Sequence, residues 1–394
     1  MLGRFARLIP RAKQDPIMGL TEKFKKDTHS KKINLSIGAY RDEYGKPYVL
    51  DTVKKAKQII LDSDHEYSGI VGCNRFSTNT VDFGLGKGNY DPDKIATVQT
   101  ISGTGACRLA AEFISRFTSC RAYLSYPTWA NHIPIMQDAG LQTGDYYYID
   151  GTKLDLDGML SDLDQIPPGN LVVLHMCGHN PTGIDPTPEQ WKEIFRIIKL
   201  KQHVPLFDAA YQGFVSGDPV VDSYPIRFFN SENYPFILAQ SYSKNFGLYG
   251  ERVGALSFIN IDRDIVLSQL KKLIRPMYSN PPINGAKIIN TIMESDTLYS
   301  EWNKECLGMA KRMTDIRFAL RDRLTAKSLS DPDRWEYLTV QRGMFGYTDF
   351  SPEMIDILRE EYHIYMTSDG RISIAGINYD NIDYLVDSIT ECLQ

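Results

Sequence analysis

Short apolar runs alternate with amphipathic segments through the middle of the chain. Apolar runs of this length, bounded by turn residues, are typical of strands that are buried on both faces. Six of them predict strands, at residues 96–101, 121–125, 171–176, 204–207, 236–240 and 253–259. Because helical patterns separate several of these runs, we predict an α/β fold with a mainly parallel sheet covered by helices on both sides.

Two of the intervening helices have clear signals. Segment 104–117 places its apolar side chains on one helical stripe: Ala106, Leu109, Ala110, Phe113, Ile114 and Phe117. The sequence Thr187-Pro188-Glu189-Gln190 has the pattern of a capping box with proline at the first helical position. The side chains expected on the buried face of the helix that follows are Trp191, Ile194, Phe195 and Ile198.

The pattern changes after about residue 305, where a long charged helical segment begins. A short region with β character follows, at residues 335–340, 344–347 and 371–375, and a final helix closes the chain. We interpret this part as a second, smaller α+β domain.

Composition narrows the class of protein. The chain has 394 residues, of which 42% are apolar and 24% charged, as in ordinary globular proteins. It contains no apolar run of 18 residues, so we expect no membrane span. The net charge of −5 is spread along the chain and predicts no nucleic-acid surface. Six cysteines without a C-x-x-C pair indicate reduced, structural thiols.

Residues 1–14 are basic and contain no acidic residue. A mitochondrial presequence has this composition, and so does an arm that lies on another subunit. We favour the arm, because acidic and apolar sequence follows at once, and we therefore expect a cytoplasmic location. Mitochondrial targeting stays open as the alternative.

Unusual residues follow four of the predicted strands, where open α/β sheets bind their ligands. The turn 102–106 (SGTGA) opens a helix, so its backbone N–H groups suit a phosphate. The turn 179–183 (HNPTG) carries Asn180, whose amide can donate to an anionic ring oxygen. Taken alone, each of these segments is also compatible with an ordinary turn.

The other two strand ends carry ionisable side chains. Asp208, three residues before Tyr211, can pair with a protonated ring nitrogen, although a helix cap is the simpler interpretation. Lys244 lies in segment 241–247 (SYSKNFG), where desolvation would lower its pKa towards that of a usable nucleophile or base. Arg252 offers a planar fork for phosphate oxygens.

Together these groups form the set that pyridoxal phosphate requires: a lysine, an acid for the ring nitrogen and a phosphate site. A nicotinamide-dependent oxidoreductase that uses Gly103 and Gly105 is the main alternative from another class. Arg108 stands where the third glycine of its fingerprint belongs and argues against it. A non-enzymatic binding module would have no use for Asp208 and Lys244 together.

The four motifs resemble those of the class I aminotransferases, which are fold type I pyridoxal-phosphate enzymes. Segments 15–20 (DPIMGL), 34–41 (NLSIGAYR) and 370–373 (GRIS) extend the resemblance over nearly the whole chain, and 241–254 (SYSKNFGLYGERVG) is the most diagnostic segment. The resemblance implies a large domain at 46–305, with a seven-stranded, mainly parallel sheet between helices. It also implies a small α+β domain built from both chain ends, 15–45 and 306–394, and an arm at 1–14.

The resemblance also implies roles for the site residues. Lys244 would hold pyridoxal 5'-phosphate as an internal aldimine and then move the proton, while Asp208, supported by His132, would keep the ring nitrogen protonated. Asn180 and Tyr211 would bond the phenolic oxygen. The remaining cofactor-binding residues would be Trp129 on the ring face and, around the phosphate, Ser102, Gly103, Thr104, Ser241, Arg252 and Tyr67 of the partner subunit. No metal site is assigned.

Substrate choice would depend on two arginines. Arg371 would bind the α-carboxylate and Arg275, from the other subunit, the side-chain carboxylate, with Gly38, Trp129 and Asn180 lining the same pocket. This arrangement implies a homodimer that moves an amino group between L-aspartate and 2-oxoglutarate and so gives oxaloacetate and L-glutamate by a ping-pong mechanism. An aminotransferase of the same fold with aromatic substrates is the nearest alternative.

Overall fold

The computed structural model describes residues 8–11, 16–327 and 331–393. The strands are β1 Ile33–Asn34, β2 Ile95–Ile101, β3 Ala122–Tyr126, β4 Thr143–Tyr147, β5 Ile149–Asp150, β6 Lys153–Leu154, β7 Leu171–His175, β8 Val204–Ala209, β9 Phe236–Ser241, β10 Val253–Ile259, β11 Phe345–Tyr347, β12 Ile364–Tyr365 and β13 Arg371–Ser373.

The α-helices alternate with these strands through the first two thirds of the chain. They are α1 Pro16–Lys26, α2 Asp51–Ile59, α3 Asn74–Leu85, α4 Ser102–Phe117, α5 His132–Asp138, α6 Leu156–Gln165, α7 Pro188–Leu200, α8 Pro219–Asp222, α9 Tyr224–Ser231, α10 Arg263–Met277, α11 Asn284–Met293, α12 Asp296–Lys327, α13 Tyr337–Val340, α14 Pro352–Glu360 and α15 Ile382–Cys392. Short 3-10 helices lie at Pro92–Lys94, Pro332–Trp335 and Ile374–Gly376.

A seven-stranded sheet with the order β2-β10-β9-β8-β7-β3-β4 forms the centre of the molecule. β10 runs antiparallel to both of its neighbours, and the other neighbouring strands pair in parallel. The predicted mainly parallel sheet is therefore confirmed. β4 was not predicted, because this edge strand (TGDYY) is half exposed and has no apolar run.

Helices cover both faces of this sheet. Along β7, Leu171 and Val173 belong to one hydrophobic cluster, whereas Val172 and Leu174 belong to another. The apolar stripe of α4 packs in the first cluster and that of α7 in the second, except that Phe117, at the end of the α4 stripe, is exposed. Since side chains alternate between the faces of a strand, the two clusters lie on opposite sides of the sheet. This accounts for the continuous apolar runs from which the strands were predicted.

The helix predicted to begin at residue 104 begins at Ser102 instead, directly after β2. Ser102 adopts φ +59°, and its side chain is buried against Ser241 and Ser243. A contact with a neighbouring strand thus decides where this helix starts, and periodicity alone does not show such a contact.

Segments from the two chain ends meet outside the central sheet. β1 pairs in parallel with β12, and β11 pairs antiparallel with β13 beside the long helix α12. The segment 335–340, predicted as β, is instead helical at its start and in α13, because Trp335 and Leu338 are buried at a helical spacing of three. The boundaries proposed for the two domains stay a prediction.

Most of the predicted arm, residues 1–14, lies outside the described residues; within 8–11, Leu8 and Ile9 are exposed. All six cysteines are free. None of the helices in the described part of the chain is long and apolar enough to cross a bilayer.

The predicted capping box is present at the start of α7. The Gln190 N–H donates to Thr187 Oγ1 at 3.3 Å, and the Thr187 N–H donates to Gln190 Oε1 at 2.8 Å. We expect Thr187→Ala to lower the free energy of unfolding by about 1 kcal/mol, because a backbone donor loses its partner. Urea denaturation measures this loss. Thr187→Ser keeps the hydroxyl and should keep most of the stability; an equal loss in both variants would contradict the capping role.

Candidate active site

A cavity of about 230 Å³ lies at the carboxyl ends of the central strands. It brings together residues that are far apart in the sequence, since its walls come from the ends of β2, β7, β8 and β9 and from the chain-end segments. The predicted site residues that line it are Gly38, Ser102, Gly103, Thr104, Trp129, Asn180, Asp208, Tyr211, Ser241, Lys244, Arg252 and Arg371.

One wall of the cavity is a cradle of buried hydroxyl groups. Ser102 Oγ lies 3.1 Å from Ser241 Oγ and 3.0 Å from Ser243 Oγ, at the first turn of α4. A Cβ atom on Gly103 would lie 2.9 Å from the Ser241 Cβ, so the close approach of helix and strand requires glycine there. Hydroxyls, a helix N-terminus and the nearby Arg252 together suit an anion such as a phosphate.

The carboxylate of Asp208 is held from behind by a histidine. His132 Nε2 lies 3.0 Å from Asp208 Oδ2, while His132 Nδ1 lies 2.9 Å from Thr128 Oγ1. Burial opposes ionisation of Asp208, but the hydrogen bond and charge of His132, with smaller contributions from His175 and Lys244, outweigh it and lower the pKa of Asp208. The cavity therefore contains an ionised acid. His132 lies behind Asp208, as predicted, and does not line the cavity.

Lys244 is largely buried beside this acid, with its Nζ 5.4 Å from the centre of the Tyr211 ring. Burial lowers the pKa of Lys244; Asp208 opposes this shift, whereas the positive charges of Arg252 and Arg371 add to it. Burial and the charge of Asp208 raise the pKa of Tyr211, so its hydroxyl stays protonated and can donate. The amine thus has an increased neutral fraction, which a nucleophile or base needs.

Two hydrogen bonds orient the guanidinium group of Arg371, which still has a donor without a partner. Its Nη1 donates to Asn180 Oδ1 at 3.2 Å and its Nη2 to the Ser36 carbonyl at 3.1 Å. Its Nε is buried and has no hydrogen-bond partner among the described residues. The guanidinium carbon lies 4.4 Å from the centre of the Phe345 ring. A carboxylate ligand would use the remaining donor capacity.

Besides His132, two predicted site residues do not line the cavity. Arg275 Nη1 donates to Ser279 Oγ at 2.6 Å at the exposed end of α10, and Tyr67 is 82% exposed. Both were predicted to serve the site of a partner subunit, and that assignment stays a prediction.

Four cavity residues were not predicted: His175, Ala210, Ser243 and Phe345. The first three adjoin predicted residues or end a strand, so the rule that located Asp208 could have found them. Burial and the neighbouring His179 and His132 lower the pKa of His175, whose Nδ1 accepts from the Asn180 N–H at 3.2 Å. Phe345 comes from β11, far along the chain, and no local signal marks it.

Comparison with known proteins gives the family. Residues 30–389 match the profile of aminotransferase class I and II. The chain belongs to this family. Mitochondrial aspartate aminotransferase of Dictyostelium discoideum is 48% identical over 387 residues, which cover 96% of this chain and 90% of the relative. Chloroplastic aspartate aminotransferase of Arabidopsis thaliana is 44% identical and covers 97% and 86%.

A solved structure shares the whole aminotransferase fold. Aspartate aminotransferase from the cytoplasm of Saccharomyces cerevisiae superposes with a TM-score of 0.95 at 39% identity, covering 98% of both chains. The predicted architecture of a helix-covered central sheet is confirmed by this similarity.

The expected cytoplasmic location is wrong. The two curated relatives, which are more identical to this chain than the yeast structure is, are mitochondrial and chloroplastic, and they point to an organelle. The expectation depended on interpreting residues 1–14 as an arm, and a basic segment without acids fits a targeting segment equally well.

The lowered pKa of Lys244 predicts a pH-dependent stability in protein freed of bound cofactor. Since the folded pKa lies below the unfolded value of 10.5, burial of this amine lowers stability, and the loss grows as pH falls from 10.5 through the folded pKa. We expect Lys244→Met to be more stable than wild type at about pH 7, by about 1 kcal/mol, and to lose this advantage by about pH 11, above the unfolded pKa of the lysine.

Thermal melting at the two pH values measures this difference. Lys192→Met, which removes an exposed lysine from α7, is the matched control and should show no pH-dependent gain. A Lys244→Met advantage that does not change with pH would show that charge burial is not its source.

Proposed function

We propose that the chain is a transaminase that uses pyridoxal 5'-phosphate to move the amino group between L-aspartate and 2-oxoglutarate, giving oxaloacetate and L-glutamate. One observation carries the proposal: Lys244, with a lowered pKa, shares a single buried cavity with ionised Asp208 and a hydroxyl cradle. Family membership and the names of the relatives support aspartate and its keto acid as the substrates.

The chemistry of the residues present fits the cofactor. Asp208 is kept ionised, as pairing with a protonated pyridine nitrogen requires. The first turn of α4 and Arg252 would hold the phosphate, with the cavity residues Ser102, Gly103, Thr104 and Ser241, and Ser243 would complete the cradle. When bound, pyridoxal phosphate supplies an electron sink for the charge that develops at the amino acid's Cα.

The catalytic work of the chain is proton transfer. Lys244 would hold the cofactor through its Nζ and would move the proton at the substrate's Cα; a lowered pKa gives it the neutral form that accepts this proton. Tyr211 would donate its hydroxyl to the phenolic oxygen of the ring. Asn180 Oδ1 accepts from Arg371, so Asn180 would offer its amide nitrogen to the same oxygen. Trp129, which lines the cavity, would cover the ring face.

Arg371 binds the α-carboxylate of the substrate. The hydrogen bonds to Asn180 and Ser36 fix its plane, and the unpaired Nε leaves it able to accept a carboxylate in a forked geometry. Gly38 lines the same cavity and has no side chain to occupy the space proposed for this ligand.

The active unit is a homodimer with shared sites. Arg275, for the side-chain carboxylate, and Tyr67, for the phosphate, lie outside their own cavity and act in that of the partner. Their exposure supports this part of the proposal, because both side chains are free to extend from the subunit that carries them.

Absorption spectroscopy tests the cofactor and the first half-reaction. Protein loaded with pyridoxal phosphate should show a visible band that L-aspartate shifts into the near ultraviolet, and 2-oxoglutarate should restore it.

Arg371→Leu should lower kcat/KM for aspartate by about two to three orders of magnitude, because a carboxylate loses its charged partner in a buried site.

The control is Arg323→Leu, which removes a surface guanidinium bound to Asp383 on α15 and should leave kcat/KM unchanged. No chromophore after incubation with pyridoxal phosphate would reject the cofactor. A band that responds to phenylalanine but not to aspartate would move the function to aromatic substrates.

Hybrid dimers test the shared site. Lys244→Ala and Arg275→Leu should each lose most aspartate activity. Unfolding and refolding them together should restore activity to about one quarter of wild type, because half of the dimers then contain one site with both native residues. Each variant refolded alone is the control. No recovery in a mixture that has exchanged subunits would show that Arg275 serves its own subunit.

A further inference from the structure

Arg317 is a buried arginine in the middle of α12, with 2% of its surface exposed. Backbone carbonyl groups, and no carboxylate among the described residues, accept its hydrogen bonds. Nη1 donates to the Leu338 carbonyl at 3.1 Å; Nη2 donates to the Arg342 carbonyl at 3.3 Å, the Gly343 carbonyl at 3.0 Å and the Phe345 carbonyl. Burial lowers the pKa of Arg317 to about 9, so the group remains charged at neutral pH.

These carbonyls belong to one short segment, 338–345, which leads from α13 into β11. The segment also contacts the turn that carries Asn180, because the Arg342 N–H donates to the Gly183 carbonyl at 2.6 Å. Between Arg342 and Phe345, Gly343 adopts φ +72°. One guanidinium therefore fixes a stretch of irregular backbone where it passes the cavity.

The residue at the end of this segment is Phe345. Its ring lies 4.4 Å from the guanidinium carbon of Arg371 and 6.2 Å, edge to face, from the Tyr211 ring. An aromatic face at this distance attracts a cation and restricts its orientation. The position of Phe345 thus affects how Arg371 presents its donors to a ligand.

We propose that Arg317 is a positioning residue for the substrate carboxylate site: by binding the carbonyls of segment 338–345 it holds Phe345 against Arg371. The inference rests on the proposed function, in which Arg371 binds the α-carboxylate. Stability alone gives little reason for a charge here, since a buried guanidinium without a carboxylate is costly to desolvate and apolar side chains often replace buried charges without loss. The planar fork places donors on two separate nitrogens in fixed directions, whereas a lysine has all of its donors on one freely rotating nitrogen.

Arg317→Lys keeps the charge and removes the fork. We expect KM for aspartate, and the Kd for succinate as an unreactive dicarboxylate, to rise about tenfold, because Arg371 is less well oriented. We expect kcat to change less than about twofold, because Lys244 and Asp208 are untouched. Arg321→Lys, on the same helix, changes an arginine bound to Asp322 and Glu336 at the surface and should leave both constants unchanged.

A double-mutant cycle tests whether the effect passes through Phe345. Combined with Phe345→Leu, Arg317→Lys should weaken succinate binding little beyond Phe345→Leu alone, because the held ring is already absent. If Arg317→Lys does not fold, Arg317→Met, which buries no charge, takes its place in the same cycle.

Three results would overturn the inference. A lower melting temperature with KM and Kd unchanged, or failure of both variants to fold, would show that Arg317 serves stability. Multiplicative effects on Kd in the cycle would show that its effect does not pass through Phe345. Failure of the proposed function is distinguishable, because wild type itself would then neither bind succinate nor transaminate aspartate.

Discussion

The hydrogen bond between His132 and Asp208 is the interaction on which the rest of the site depends. A carboxylate buried at the end of β8 would take up a proton unless a partner stabilised its charge, and His132 provides that partner at 3.0 Å. Around this one negative charge the cavity holds three cationic side chains, Lys244, Arg252 and Arg371. The excess of positive charge suits anionic ligands, and mutual repulsion of these cations contributes to the lowered pKa of Lys244.

The sheet brings these groups together. Parallel strands end at one edge, so residues that follow separate apolar runs, such as Asn180, Asp208 and Lys244, meet in a single cavity although they are far apart in the chain. His132, which binds Asp208, lies behind this edge, and Arg371, which binds Asn180, comes from a chain-end segment. Lys244 therefore lies in a turn directly after a strand of the central sheet, whereas Arg371 packs against Phe345 at the end of an irregular segment that Arg317 binds.

The sequence predicts the parts of this arrangement that have local signals. All six strands predicted from apolar runs are present, and the positions that follow these runs located Ser102, Asp208 and Lys244. The edge strand β4 was missed because half of its surface faces solvent. Phe345 and Arg317 could not be found in this way, since their role comes from contacts between segments distant in sequence. The role of Arg275 stays a prediction, because it was assigned to the site of a partner subunit and a single chain shows only that this side chain is exposed.

The antiparallel strand β10 has a consequence for the relative positions of Lys244 and Arg252. Because β9 and β10 are neighbours that run in opposite directions, the 11 residues between Ser241 and Val253 form a closed loop whose two ends are fixed on adjacent strands. Lys244 and Arg252 lie near the two ends of that loop. Little chain entropy is lost in closing it, and both side chains are carried by this one loop rather than by the chain-end segments. The residues proposed to hold the aldehyde and the phosphate therefore have their spacing set by a single local element of the central sheet.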